Sequence, residues 1–148
     1  MNALVRAGAW LCLFGGVVFL VASAGCSESG YKVAKVKGKV TYEGQPVKGG
    51  SITFRPVSVA GAEAGMMGKP ASAEVLDDGT FVLSTYGEQD GAVIGKHQVL
   101  FTPISKGAES YDDEPEPSPY IGLVPKMAEV EIKAGSNDIE IELIKSEG

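Results

Sequence analysis

Three groups of residues in this 148-residue chain are of types that do chemistry. His97 is the only histidine. A general base needs a partner to orient it, and catalytic zinc needs further His or Cys ligands. His97 also shares one face of an alternating stretch with Val99 and Phe101, so it reads as a packed, hydrogen-bonded histidine. The second group is acidic: Glu109, Asp112, Asp113, Glu114 and Glu116, beside Tyr111 and Tyr120. Calcium takes a cage of oxygen ligands, which makes Asp112, Asp113 and Glu114 candidate metal ligands. EF-hand spacing is absent, however, and Pro115, Pro117 and Pro119 hold their neighbours extended. A solvated loop is the competing reading. The third group is the cysteine pair, Cys12 and Cys26. No Gly-rich loop precedes a helix, and Ser58, Ser72 and Ser84 lack a nucleophile-elbow pattern, so neither cofactor nor catalytic residue is expected.

Cys26 takes its meaning from what precedes it. Met1 to Arg6 carries one positive charge, and Ala7 to Gly25 is apolar, ending in Ala22, Ser23, Ala24 and Gly25. That is the layout of an export signal, expected to be helical. With Cys26 it resembles a bacterial lipoprotein signal, although Ser23 stands where that pattern usually has Leu. The resemblance implies removal of residues 1–25 and acylation of Cys26, with palmitate among the chains, on thiol and amine. An uncleaved membrane anchor and ordinary cleavage near Ala24 are the alternatives, because the run is just long enough to span a bilayer. Cys12 leaves with the signal, so the mature chain holds one thiol and can form no internal disulfide. More than one acyl chain makes attachment to a bilayer stable. Residues 26–32 form a polar tether whose last six residues reach about 20 Å.

Loss of Arg6 takes the formal charge from −6 to −7. That balance argues against nucleic acid or anionic lipid headgroups as partners of the domain itself, since both need a basic patch. Residues 33–148 suffice for one core of sandwich size.

The elements that position these residues are strands. Val36, Gly38, Val40 and Tyr42 alternate with Lys35, Lys37, Lys39 and Thr41, which is period two with one face wet. After Gly44 to Gly50, Ile52 and Phe54 alternate with Ser51, Thr53 and Arg55, and Pro56 ends that strand or puts it at an edge. Ala71 to Leu76 and Thr80 to Thr85, around Asp77-Asp78-Gly79, read as a hairpin. Lys96 to Thr102 follows as a strand, whereas Pro103 to Pro125 reads as irregular. Ala128 to Lys133 and Asp138 to Leu143, around Gly135-Ser136-Asn137, read as a last hairpin. The expectation is all-β: a seven-stranded antiparallel sandwich, with an open barrel as the runner-up.

The stretch Val36-Lys37-Gly38-Lys39-Val40-Thr41, then Gly44-Gln45-Pro46-Val47 and Ile52 to Pro56, resembles the opening of carboxypeptidase regulatory-like and transthyretin-like domains, which are Ig-like β-sandwiches. Gly79-Thr80-Phe81, Gly95 to Val99 and the Gly-x-Asn turn at 135–137 extend the likeness over about Val33 to Leu143. It implies an accessory, non-catalytic module. Related hydroxyisourate hydrolases use several histidines and a C-terminal Tyr-Arg-Gly-Ser, which this chain lacks. The expectation is therefore an exported lipoprotein, held at the outer membrane and facing periplasm or exterior. It would carry a binding or structural module whose partner is an envelope protein or polysaccharide. The alternatives are a carbohydrate- or calcium-dependent module using Tyr86, Tyr111, Tyr120 and the acidic loop and, lower, a hydrolase.

Overall fold

The computed structural model describes residues 31–61, 67–104 and 117–146. Residues 1–25, Cys26, most of the tether and the candidate ligands Asp112, Asp113 and Glu114 lie outside the described residues. The described chain is all β. Its ten strands are β1 (Val33–Tyr42), β2 (Gln45–Pro46), β3 (Ser51–Val59), β4 (Ala71–Glu74), β5 (Thr80–Val82), β6 (Ala92–Val93), β7 (Gly95–Thr102), β8 (Leu123–Pro125), β9 (Glu129–Ile132) and β10 (Ser136–Lys145).

They form two sheets. One runs β2-β1-β10-β8, with β5 and β6 also paired to β1, and the other runs β4-β3-β7-β9. Both sheets turn their alternating apolar faces inward. Val36, Val40, Ile141 and Leu143 meet Ile52, Phe54, Val99 and Ile132, all buried. Phe81 lies between the sheets with its ring 6.1 Å from that of Phe54. Fully burying one such ring stabilises the fold by about 1.5–3 kcal/mol, so this pair anchors the core.

The face assignments read from alternation hold, but the pairings differ from expectation. Ten strands replace seven because β2, β6 and β8 are two or three residues long, too short to show a period. The sandwich is not wholly antiparallel: β1 and β10 run parallel, in register from Lys35 with Ser136 to Tyr42 with Leu143. The expected hairpins also separate. β4 and β5 fall in different sheets, as do β9 and β10, and the first two long strands, β1 and β3, are likewise divided between the sheets. Alternation fixes which face a strand buries, not which strand it pairs with. The short hairpin that does form is β1–β2. Its turn residues Glu43 (φ 50°) and Gly44 (φ 78°) both take the positive φ that a type I′ turn requires.

Pro56 does not end β3. The strand continues to Val59 through a register shift between Pro56 and Ser58. Proline is tolerated there because β4 flanks β3 only from Ser51 to Phe54, leaving that side of Pro56 without a ladder.

Gly38 explains the glycine in the β1 pattern. It faces inward, and a Cβ there would run into the Ile139 carbonyl oxygen and lie 2.7 Å from the Phe81 ring. Glycine is what allows the parallel β10 backbone and Phe81 to close on β1.

The flanks of the two layers are stitched. On one, Ser72 and Ser84 exchange backbone bonds of 2.9 and 3.0 Å. On the other, the chain from β8 to β9 crosses between sheets, with Lys126 N–H on the Glu142 carbonyl and Val99 N–H on the Ala128 carbonyl, both at 2.8 Å.

Candidate functional site

β7 carries His97 into the interior. The imidazole is 0% exposed, packs 6.2 Å from the Phe54 ring, and donates from Nε2 to the Val93 carbonyl at 2.6 Å. Its Nδ1 is buried without a protein partner. A base for surface chemistry must reach the proton it removes, and this ring is sealed beneath both sheets. His97 is a structural connection between β7 and β6.

The other sequence candidates that fall within the described residues do not converge. Among the described residues, no three His, Cys, Asp or Glu side chains gather where a metal could sit. Tyr120 packs edge-on against Phe101 at 6.5 Å, and its hydroxyl accepts from the Lys48 N–H at 3.2 Å, near the end of β1. Tyr86 lies toward the opposite end, its hydroxyl accepting from the Lys69 N–H at 3.4 Å. The two do not form one aromatic platform, and Tyr111 lies outside the described residues. The lysines of β1 stand beside acidic β10: Lys37 pairs with Asp138 at 3.3 Å, and Lys39 is in register with Glu140. Both partners of the Lys37 pair are largely exposed, so it adds about 0–1 kcal/mol.

One concavity on the flank was not foreseen. An open cleft of about 860 Å³ lies along the stitched flank between β4 and β5. Ser72 and Ser84 bond to each other, and Leu76 N–H donates to the Thr80 carbonyl at 2.9 Å, but Glu74 and Val82 between them share no backbone bond. The strands splay there. Ser51, Ser72, Glu74, Ser84 and Glu88 supply polar lining; Leu76 and Val82, half exposed, supply apolar surface.

One wall, with Glu88 and Gln89, belongs to a loop that Asp90 holds together. Its carboxylate accepts from Thr85 N–H at 2.7 Å and from the Tyr86 and Gly87 N–H groups at 2.9 Å. Burial pushes the Asp90 carboxyl up, but these donors outweigh it and hold the group below the ordinary value of 3.8. Gln89 N–H donates to Ser84 Oγ at 2.9 Å, and the Thr85 hydroxyl donates to the Gly91 carbonyl at 2.6 Å. The loop from Thr85 to Gly91 is thereby tied to itself. Asp90-Gly91 was the available signal, since Asp readily bonds backbone N–H groups nearby in sequence. Hydroxyls and carboxylates beside an apolar surface can bind a ligand rich in hydroxyl groups.

A smaller cavity of about 400 Å³ lies at Thr41, Lys126, Met127, Glu140 and Glu142, where Lys126 pairs with Glu142 at 2.7 Å.

No family model matches the chain, and no curated protein matches it. Among solved structures it is similar to a DUF3823 family protein from Parabacteroides merdae, with 19% identity and a TM-score of 0.41. The match covers 78% of this chain and 47% of that one, so the chain spans less than half the length of the protein it matches. A likeness of that size carries no argument about activity.

Proposed function

We propose that this chain is an exported lipoprotein, cleaved before Cys26 and acylated there, in which residues 33–148 form a non-catalytic sandwich that binds or braces an envelope component. The domain would be transthyretin-like, of the carboxypeptidase regulatory-like kind, and the address the outer membrane. The observation that carries the non-catalytic reading is His97. The single imidazole is spent inside the core on Val93 rather than offered to a substrate. The anchored reading is supported by the small residues before Cys26 and by the position of β1. That strand begins seven residues after Cys26 and lies inside its sheet, so a tether at Cys26 leads straight into the body of the domain.

The test is fractionation and pulldown from native membranes, comparing wild type with Cys26→Ala. Wild type sediments with membranes and brings down a partner; the variant is released to the soluble fraction. A variant that stays in the membrane contradicts the lipid anchor.

A second reading is favoured by the cleft. Its serines and glutamates beside Leu76 and Val82 suit a polysaccharide, whose ring faces pack on apolar side chains while its hydroxyls find hydrogen bonds. Val82→Arg fills that surface without entering the core, so loss of polysaccharide retention in a still-folded variant supports this reading.

A further inference from the structure

We propose that the end of the sandwich where β1 begins rests on the bilayer and binds anionic lipid headgroups, an inference that depends on the anchored reading above. Exposed Lys32, Lys35, Lys69, Lys96 and Lys133 gather there. Their neighbourhood is fixed by hydrogen bonds and register. The Lys32 carbonyl accepts from Ile94 N–H at 3.0 Å, next to β7. Lys35 Nζ donates to the Gln89 carbonyl at 2.6 Å, and Lys69 N–H reaches Tyr86. Lys96 stands in register with Ser58 and Glu131. Lys133 N–H donates to Asn137 Oδ1 at 3.0 Å, and the amide of Asn137 reaches the Lys35 carbonyl at 3.3 Å.

The acidic side chains exposed at this end among the described residues are Glu88, Glu131 and Asp138, the last paired with Lys37 at 3.3 Å, and Asp90 is turned into its own loop. At the far end the turns carry Glu43, Asp77 and Asp78, and Lys48, Lys126 and Lys145 are interspersed with them, Lys126 being paired with Glu142. On a chain whose formal charge becomes −7 without Arg6, an end where five lysines face three exposed carboxylates stands apart from the rest. Met67, 59% exposed, and Tyr86, 40% exposed, add apolar surface among the lysines. Lysine heads with apolar neighbours suit an anionic bilayer interface.

The tether argues for the same occupant. From Cys26 to Val33 the chain reaches about 25 Å at most, and the far end of β1 lies about 33 Å further on. The lysine end is the one held against the membrane. The anchor brings the domain there, and the lysines set which way it stands.

Tryptophan fluorescence can test this, because the chain's single tryptophan, Trp10, lies in the segment removed on export. Met67→Trp and Met127→Trp report on the two ends from positions of matched exposure, 59% and 56%. Each full-length gene is expressed in a bacterial host, and the processed protein is reconstituted into phosphatidylethanolamine vesicles, with or without phosphatidylglycerol, carrying nitroxide-labelled lipid. The expected result is quenching several-fold stronger at position 67 than at 127, and reduced when phosphatidylglycerol is omitted or when Lys69→Glu and Lys96→Glu are combined. Equal quenching at both ends, or quenching at 67 indifferent to phosphatidylglycerol, overturns the orientation and leaves the anchor standing. A wild-type protein that does not partition into membranes at all overturns both.

Discussion

The packed interior around Phe54, Phe81 and His97 and the open flank between β4 and β5 use their polar residues in opposite ways. In the interior the one histidine is buried, gives Nε2 to the Val93 carbonyl and takes part in no surface geometry. On the flank, serines and glutamates that look like ordinary strand and turn residues line an open cleft. The rarest reactive side chain is structural, and the common ones form the accessible surface. Residue type is thus a poor guide to function in this chain; burial and backbone pairing decide it.

The contrast can be broken most severely at Gly38. Gly38→Val pushes a branched side chain into the Ile139 carbonyl and the Phe81 ring, and should cost about 3 kcal/mol or more in urea unfolding. Gly38→Val at wild-type stability would mean that β1 and β10 do not close as described. Phe54→Ala comes next in certainty of mechanism: it removes a ring touching both Phe81 and His97, with an expected loss of about 3–5 kcal/mol.

Asp90 sits where interior and flank meet. Asp90→Asn replaces one accepting oxygen with a donor that faces N–H groups, costing about 1–3 kcal/mol at neutral pH. Because the folded carboxyl titrates below its ordinary value of 3.8, its stabilisation is complete above that value. It is lost as pH falls through the lower folded value. Stability curves of wild type and Asp90→Asn should therefore converge in acid, and a constant gap at every pH would contradict the assignment.

His97→Gln should cost about 1–2 kcal/mol and leave binding of any partner intact, since the ring's role is packing and one hydrogen bond. Lost binding in a folded variant would return His97 to the functional residues. The smallest stability effect belongs to the flank. Val82→Arg should lie within about 0.5 kcal/mol of wild type while changing ligand retention. A large loss of stability there would make the flank part of the core.

The inward faces of β1, β3, β7, β9 and β10 were legible because alternation at Val36, Val40, Ile52, Phe54, Val99, Ile132, Ile141 and Leu143 is a local signal. Pairing was not legible. The parallel register of Lys35 with Ser136 joins residues about a hundred positions apart, and nothing local distinguishes it from the hairpin around Gly135-Ser136-Asn137. The same holds for the cleft, which exists because Asp77-Asp78-Gly79 carries the chain from one sheet to the other instead of pairing its flanking strands fully. His97 was readable as packed because it shares a face with Val99. Its bond to Val93 needed β6, which is too short to announce itself.

The central claim is that a lipid at Cys26 holds this sandwich at a membrane, and intact-mass analysis of the protein extracted from native membranes tests it most directly. The account predicts a chain beginning at Cys26, lacking Trp10 and heavier than its sequence by the mass of its acyl groups. A free thiol at Cys26, or a chain that retains Met1 to Gly25, contradicts it.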